Sequence, residues 1–152
     1  MSFSRTSRLL APAFEQATVA DAMRPGIISC QADTGLRAIA EMMASYHVHA
    51  VVVEGVEAEA TAAGGQGWGI VSDVELARAA ARGALQVTAG ELAGSGAVFV
   101  APGEPLKRAA ELMSEHAVSH LIVSTSPAAR PVGIISTLDL AVVLAWGRNS
   151  DW

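Results

Sequence analysis

The residues best placed to do chemistry are Ser136 and Asp139, in the run Gly133-Ile134-Ile135-Ser136-Thr137-Leu138-Asp139. An apolar strand that ends in serine and leads into a helix opening with aspartate puts both oxygens at a helix N-terminus. Free N–H groups and the positive end of the helix dipole favour anionic groups there. An aspartate at that point accepts hydrogen bonds from both hydroxyls of a cis-diol, as in ribose. A serine hydroxyl donates to a phosphate oxygen. The same residue types also cap helices for stability alone, so ligand contact and capping both stand as readings. An earlier run, Gly69-Ile70-Val71-Ser72-Asp73-Val74-Glu75, has the same form with Glu75 in the acidic position. The extra methylene of glutamate displaces its carboxylate relative to aspartate.

Other candidates fall away. Cys30 has no partner histidine motif, and neither a Gly-x-Ser-x-Gly elbow nor a phosphate-cradling loop is present. Gly64-Gly65-Gln66-Gly67 precedes a strand instead of joining strand to helix, and reads as a flexible loop. His116 and His120 stand four apart, a metal-binding spacing on a helix, yet the chain is already turning into strand and no acid or thiol completes a set. The three tryptophans have no spacing that suits base stacking.

The elements that position these residues repeat. Ala40–Val53 reads AEMMASYHVHAVVV and Ala110–Val123 reads AELMSEHAVSHLIV, 70 residues apart. Leu36, Ile39, Ala40 and Met43 fall over Leu106, Ala109, Ala110 and Met113, each set one apolar helical stripe. Short strands follow at Ala50–Val53 and Leu121–Val123, then the two Gly-Ile motifs, 64 residues apart. The first half therefore carries six more loop residues, and Glu54–Gly67 reads as a solvated hairpin tip. Closing helices are expected over Val74–Arg82, stopped by Gly83, and Leu138–Trp146, stopped by Gly147. Ile27–Cys30 and Val98–Val100 add one strand per half. Each half reads strand, helix, strand, strand, helix, and units that small should pair to bury enough surface.

Bulk composition sets the outer bounds. With 51% hydrophobic and 16% charged residues, the 152-residue chain can bury a sizeable core. A net charge of −5 argues against general nucleic-acid binding, though a local pocket can still be positive. The longest stretch without a charged residue, His116–Ala129, is too short and polar for a membrane span, and the patch Leu9–Phe14 is too short for a signal-peptide core. A single cysteine fits a reducing compartment, so a cytoplasmic protein is expected.

The doubled strand–helix motif resembles the CBS domain pair, or Bateman module, from Thr18 to Gly147. The family's closing motif is Gly, two apolar residues, Ser or Thr, two variable residues, then Asp. The second half matches throughout and the first departs at Glu75. The resemblance implies an α/β fold of the α+β type, with two pseudo-symmetric β-α-β-β-α repeats packed through their sheets. The expected layout is an N-terminal segment over 1–17, repeats over 18–85 and 86–147, and a tail over 148–152. It also implies a non-catalytic regulatory module that needs no cofactor and binds AMP, ADP, ATP or S-adenosylmethionine. Asp139 and Ser136 would then act with Ile28, Ser29, Cys30, Val48 and His49. A weaker or empty second site would use Ser72 and Glu75 with Val98, Val100, Val118 and His120. His49 and His120 lie near positions where family members place a basic residue against phosphates; capping a helix end or filling a strand start is their other reading. The nearly all-apolar last helix implies a homodimer, and the output would pass to a separate regulated protein. The competing reading is a ligand-free dimerisation module with a degenerate pocket.

Overall fold

Leu36, Ile39 and Met43 recur at helical spacing and are all buried, as are Leu106, Ala109 and Met113 in the second half. These stripes define two eleven-residue helices around which the computed structural model is organised. It describes residues 13–57, 66–94 and 97–147. In chain order these hold α1 (Val19–Ala22), β1 (Arg24–Pro25), β2 (Ser29–Gln31), α2 (Leu36–Tyr46), β3 (Ala50–Glu57), β4 (Gln66–Ser72) and α3 (Asp73–Ala81). Then come α4 (Ala89–Ala93), β5 (Phe99–Val100), α5 (Leu106–His116), β6 (His120–Val123), β7 (Gly133–Ser136) and α6 (Thr137–Trp146). The hairpin tip and its glycine run lie partly outside the described residues, as do most of the N-terminal segment and the C-terminal tail.

Contacts divide the chain into two compact units. One is formed by residues 27–97 with Pro127–Arg130. Its sheet runs β2-β3-β4, with β2 parallel to β3 (Ser29 opposite Val52) and β3 antiparallel to β4 (Ala50 opposite Ser72). A parallel pair needs a crossover, and α2 supplies it. Ile39 and Met43 of α2 pack on Val51, Val53 and Val71, the β-branched residues that favour a pleated, buried surface. Arg130 sits over the Trp68 ring, 5.5 Å from its centre.

The other unit takes residues 13–26, Val98–Ser126 and 131–147 of the described chain. Its sheet runs β1-β7-β6-β5. Here β5 is parallel to β6 and β6 antiparallel to β7, with His120 opposite Ser136. Leu106, Ala109 and Met113 pack with Leu121, Val123, Ile135 and Val143. The mixed α/β expectation holds, as do the closing helices, and Gly147 ends α6 in the left-handed conformation with φ +83°.

The short helices α1 and α4 are absent from the strand–helix–strand–strand–helix expectation. Each opens with a capping box: Thr18 with Asp21, and Thr88 with Glu91. The threonines stand 70 residues apart, so the repeat begins earlier than its apolar stripe suggests. Each short helix docks at the start of a long one. Thr88 bridges to Gly35 before α2, and Ala89 N–H donates to Thr34 O at 2.7 Å. Thr18 bridges to Pro105 before α5, and Val19 N–H donates to Glu104 O at 2.9 Å. The helix that opens the first repeat thus belongs to the unit that holds most of the second, and the helix that opens the second belongs to the unit that holds most of the first.

Candidate functional site

Ser136 and Asp139 form a complete capping box at the start of α6. Asp139 Oδ2 accepts from the Ser136 backbone N–H at 2.8 Å and from its hydroxyl at 3.0 Å. Asp139 N–H donates back to Ser136 Oγ at 3.3 Å. The carboxylate is only 2% exposed. Burying a carboxylate is costly unless it is paired or hydrogen-bonded, and these bonds satisfy one of its oxygens. Its other oxygen, Oδ1, lies 3.7 Å from Arg24 Nε. Capping and ligand contact are therefore compatible: one oxygen holds the helix start and the other remains to face a partner.

Arg24 is the residue that sequence reasoning missed. It lies in β1, which pairs antiparallel with β7 so that Arg24 stands opposite Ile134 and Pro25 opposite Gly133. A two-residue strand carries no periodicity, so no pattern could reveal it. The matched capping boxes were the available signal, since they show that the chain before residue 27 belongs to the repeat. Gly133 admits β1: an added Cβ would come within 2.4 Å of Arg24 O and 3.1 Å of Met23 Sδ. At the corresponding glycine of the first motif, Gly69, an added Cβ would instead meet side chains, Val56 Cγ2 of β3 at 2.8 Å and Ala93 Cβ of α4 at 2.9 Å.

The first motif builds the same cap. Ser72 N–H donates to Glu75 Oε2 at 3.0 Å, and the Ser72 hydroxyl also donates to that oxygen. Ser72 is buried whereas Glu75 is half-buried. No guanidinium corresponds to Arg24 there, because the residue 70 positions on is Gly94.

The remaining sequence-predicted residues sort by unit. Ile28, Ser29, Cys30, Val48 and His49 share a unit with Ser72 and Glu75, and Val98, Val100, Val118 and His120 share one with Ser136 and Asp139. Ser29 and Cys30 sit opposite Val52 and Val53, Ile28 O accepts from Val52 N–H, and Val48 is half-buried just before β3. Burial pushes the Cys30 thiol above its ordinary value, with the nearby Asp33 charge adding to the rise and a Thr34 hydrogen bond opposing it. Val100 is buried, Val98 and Val118 are half-buried.

The two histidines are not equivalent. Ala50 faces Ser72 as His120 faces Ser136, so the counterpart of His49 is Ser119. His49 is exposed, with Nδ1 3.0 Å from Asp73 Oδ2. His120 is half-buried, with Nδ1 2.8 Å from Ser119 Oγ. Among the described residues no His, Cys, Asp and Glu cluster could hold a metal, and no helix is long and apolar enough to cross a membrane.

A family model for the CBS domain matches residues 19–82 and again residues 89–145. The chain belongs to the CBS domain family. Its two CBS domains place Ser72 and Glu75 in the first and Ser136 and Asp139 in the second. No curated protein matches the chain. Among solved structures, it is similar to a hexameric CBS-CP12 protein from bloom-forming cyanobacteria, at 18% identity and a TM-score of 0.69, over 82% of this chain and 69% of that one. It is also similar to a CBS domain pair solved with 5′-methylthioadenosine and S-adenosyl-L-methionine, at 20% identity and a TM-score of 0.68, over 82% and 93%. A third, a CBS domain protein from Pyrobaculum aerophilum complexed with AMP, has 21% identity and a TM-score of 0.65, over 81% and 89%. At these identities the likeness establishes a shared fold.

Proposed function

We propose that this CBS pair is a non-catalytic, cytoplasmic sensor of an adenosine-containing ligand, read chiefly by Asp139 and Ser136. The observation that carries the reading is the divided carboxylate of Asp139. Oδ2 is held by Ser136, while Oδ1 meets only the more distant Arg24 among the described residues. An acceptor so fixed at a helix start suits a ribose diol. Ile28, Ser29, Cys30, Val48 and His49 are the residues assigned to the rest of the ligand. Ser72 and Glu75, with Val98, Val100, Val118 and His120, make the weaker site. The solved relatives with 5′-methylthioadenosine, S-adenosyl-L-methionine and AMP support an adenosine compound as the ligand class.

Such a ligand shifts a conformational equilibrium only by its different affinity for the two states. The signal would pass to a separate regulated protein. Thermal-shift measurement with AMP, ADP, ATP, S-adenosylmethionine and NAD(H) tests the reading. A ligand at 100 times its dissociation constant adds about 2.7 kcal/mol, which moves Tm by roughly 5–10 °C for a chain of this size. No shift with any of them would overturn it.

A second reading, a ligand-free dimerisation module, is favoured by α6. Leu138, Leu144 and Trp146 are exposed on that helix at 51%, 49% and 65%. Apolar exposure of this size on one helix suits a homodimer contact, which the sensor reading also includes. Light scattering at micromolar concentration should give twice the chain mass; a monomer would remove the dimer from both readings.

A further inference from the structure

The Arg24–Asp139 pair places an anion and a guanidinium side by side, and the two are held very differently. Asp139 is buried and locked by Ser136. The Arg24 side chain is 62% exposed, and its Nε stands 3.7 Å from Oδ1, beyond hydrogen-bond length. Among the described residues its guanidinium makes no hydrogen bond to a side chain. Charge attraction keeps it near Asp139 while its planar set of donors stays available. A carboxylate accepts from a diol, and a guanidinium fork donates to phosphate oxygens. Neither group alone reads a nucleotide; adjacent, they read both of its polar ends.

We propose that Arg24 makes the Asp139 site select phosphorylated adenosine ligands over neutral ones, an inference that rests on the adenosine reading of that site. A diol that takes Asp139 Oδ1 weakens the hold of that oxygen on Arg24. A neutral nucleoside gives the guanidinium nothing in return. A 5′-phosphate offers it a charged acceptor within reach of its flexible stem, so the ion pair lost to the ribose is replaced by one to the ligand. The first domain has Gly94 at the corresponding position and lacks this discrimination.

Isothermal titration of the full chain with AMP, adenosine and 5′-methylthioadenosine tests it, using wild type, Arg24→Ala, Arg24→Gln and Arg24→Lys. Wild type should bind AMP at least about tenfold more tightly than either neutral compound, the scale of one charge-assisted contact. Arg24→Ala and Arg24→Gln should lose that ratio by weakening AMP alone, while adenosine binding holds or improves as Oδ1 is freed. Arg24→Lys, which keeps the charge and loses the fork, should fall between. An unchanged ratio in the variants, or an equal loss for charged and neutral ligands, overturns the role of Arg24 and leaves the adenosine site standing. Absence of binding by all three to wild type overturns both. Arg24→Gln preserves the stem that Arg24→Ala removes, so a folding defect in one is checked by the other.

Discussion

A Cβ placed on Gly133 would stand 2.4 Å from the backbone oxygen of Arg24. The motif glycine of the second domain is therefore a passage for β1, not merely a strand residue. Gly133→Ala must push β1 off β7, because the obstructing atom is backbone and cannot rotate away. Overpacking of this kind costs about 1–3 kcal/mol, and urea unfolding should show a loss in that range. The same variant should displace Arg24 and reduce AMP binding more than adenosine binding. Wild-type stability in Gly133→Ala would show that β1 does not occupy this position.

The two capping boxes should differ in what their loss does. Asp139→Ala removes the acceptor that satisfies the Ser136 N–H and leaves Arg24 without its anion. Its cost without ligand is about 1–2 kcal/mol, the upper range for caps. Glu75→Ala, at a half-buried cap whose carboxylate makes no ion pair among the described residues, should cost about 0.5–1 kcal/mol. In thermal shift with a bound adenosine compound, Asp139→Ala should abolish most of the ligand-induced rise and Glu75→Ala little of it. Equal effects would show that the two domains contribute alike.

Both long helices end on a non-glycine residue in the left-handed region, His47 at φ +53° and Ala117 at φ +52°. A Cβ there meets the neighbouring carbonyl, at a cost of roughly 1–2 kcal/mol. Ala117→Gly should relieve it and, after the greater entropy lost by glycine on folding, stabilise the protein by about 0.5–1 kcal/mol. Calorimetry would read this as a higher Tm; a lower one would contradict the backbone geometry.

Cys30 gives a prediction in pH. Its folded pKa is raised, chiefly by burial, so the neutral thiol is favoured in the native state. Its contribution is fully present below the ordinary thiol pKa and is lost as pH rises through that value toward the raised one. Unfolding in urea between pH 7 and 10 should show wild type losing stability relative to Cys30→Ala as pH rises. Alkylation of native Cys30 should likewise lag behind a free thiol at each pH. Parallel stability curves would mean the thiol is not desolvated.

Much of the fold was legible because the core elements announce themselves locally. The stripe of Leu36, Ile39 and Met43, repeated at Leu106, Ala109 and Met113, specifies helices through their own spacing. Val51–Val53 and Leu121–Val123 specify strands through β-branched and apolar runs. Ser136 and Asp139 stood out for the same reason, since capping acts over three residues. The strands at Ser29–Gln31 and Phe99–Val100 proved shorter than expected, and His49 and His120 proved inequivalent once strand register was known. The capping boxes of Thr18 and Thr88 were present but unread, because four- and five-residue helices have no apolar period.

The sequence by itself determined a doubled α/β unit with an acidic cap on each closing helix, because propensity, periodicity and capping are properties of neighbours along the chain. Only the tertiary structure decided that the segment opening the first repeat joins the unit of the second. That exchange sets Arg24 beside Asp139 and makes Gly133 indispensable to β1. Its cause is a backbone pairing between residues far apart in the chain, where no local pattern records the partner.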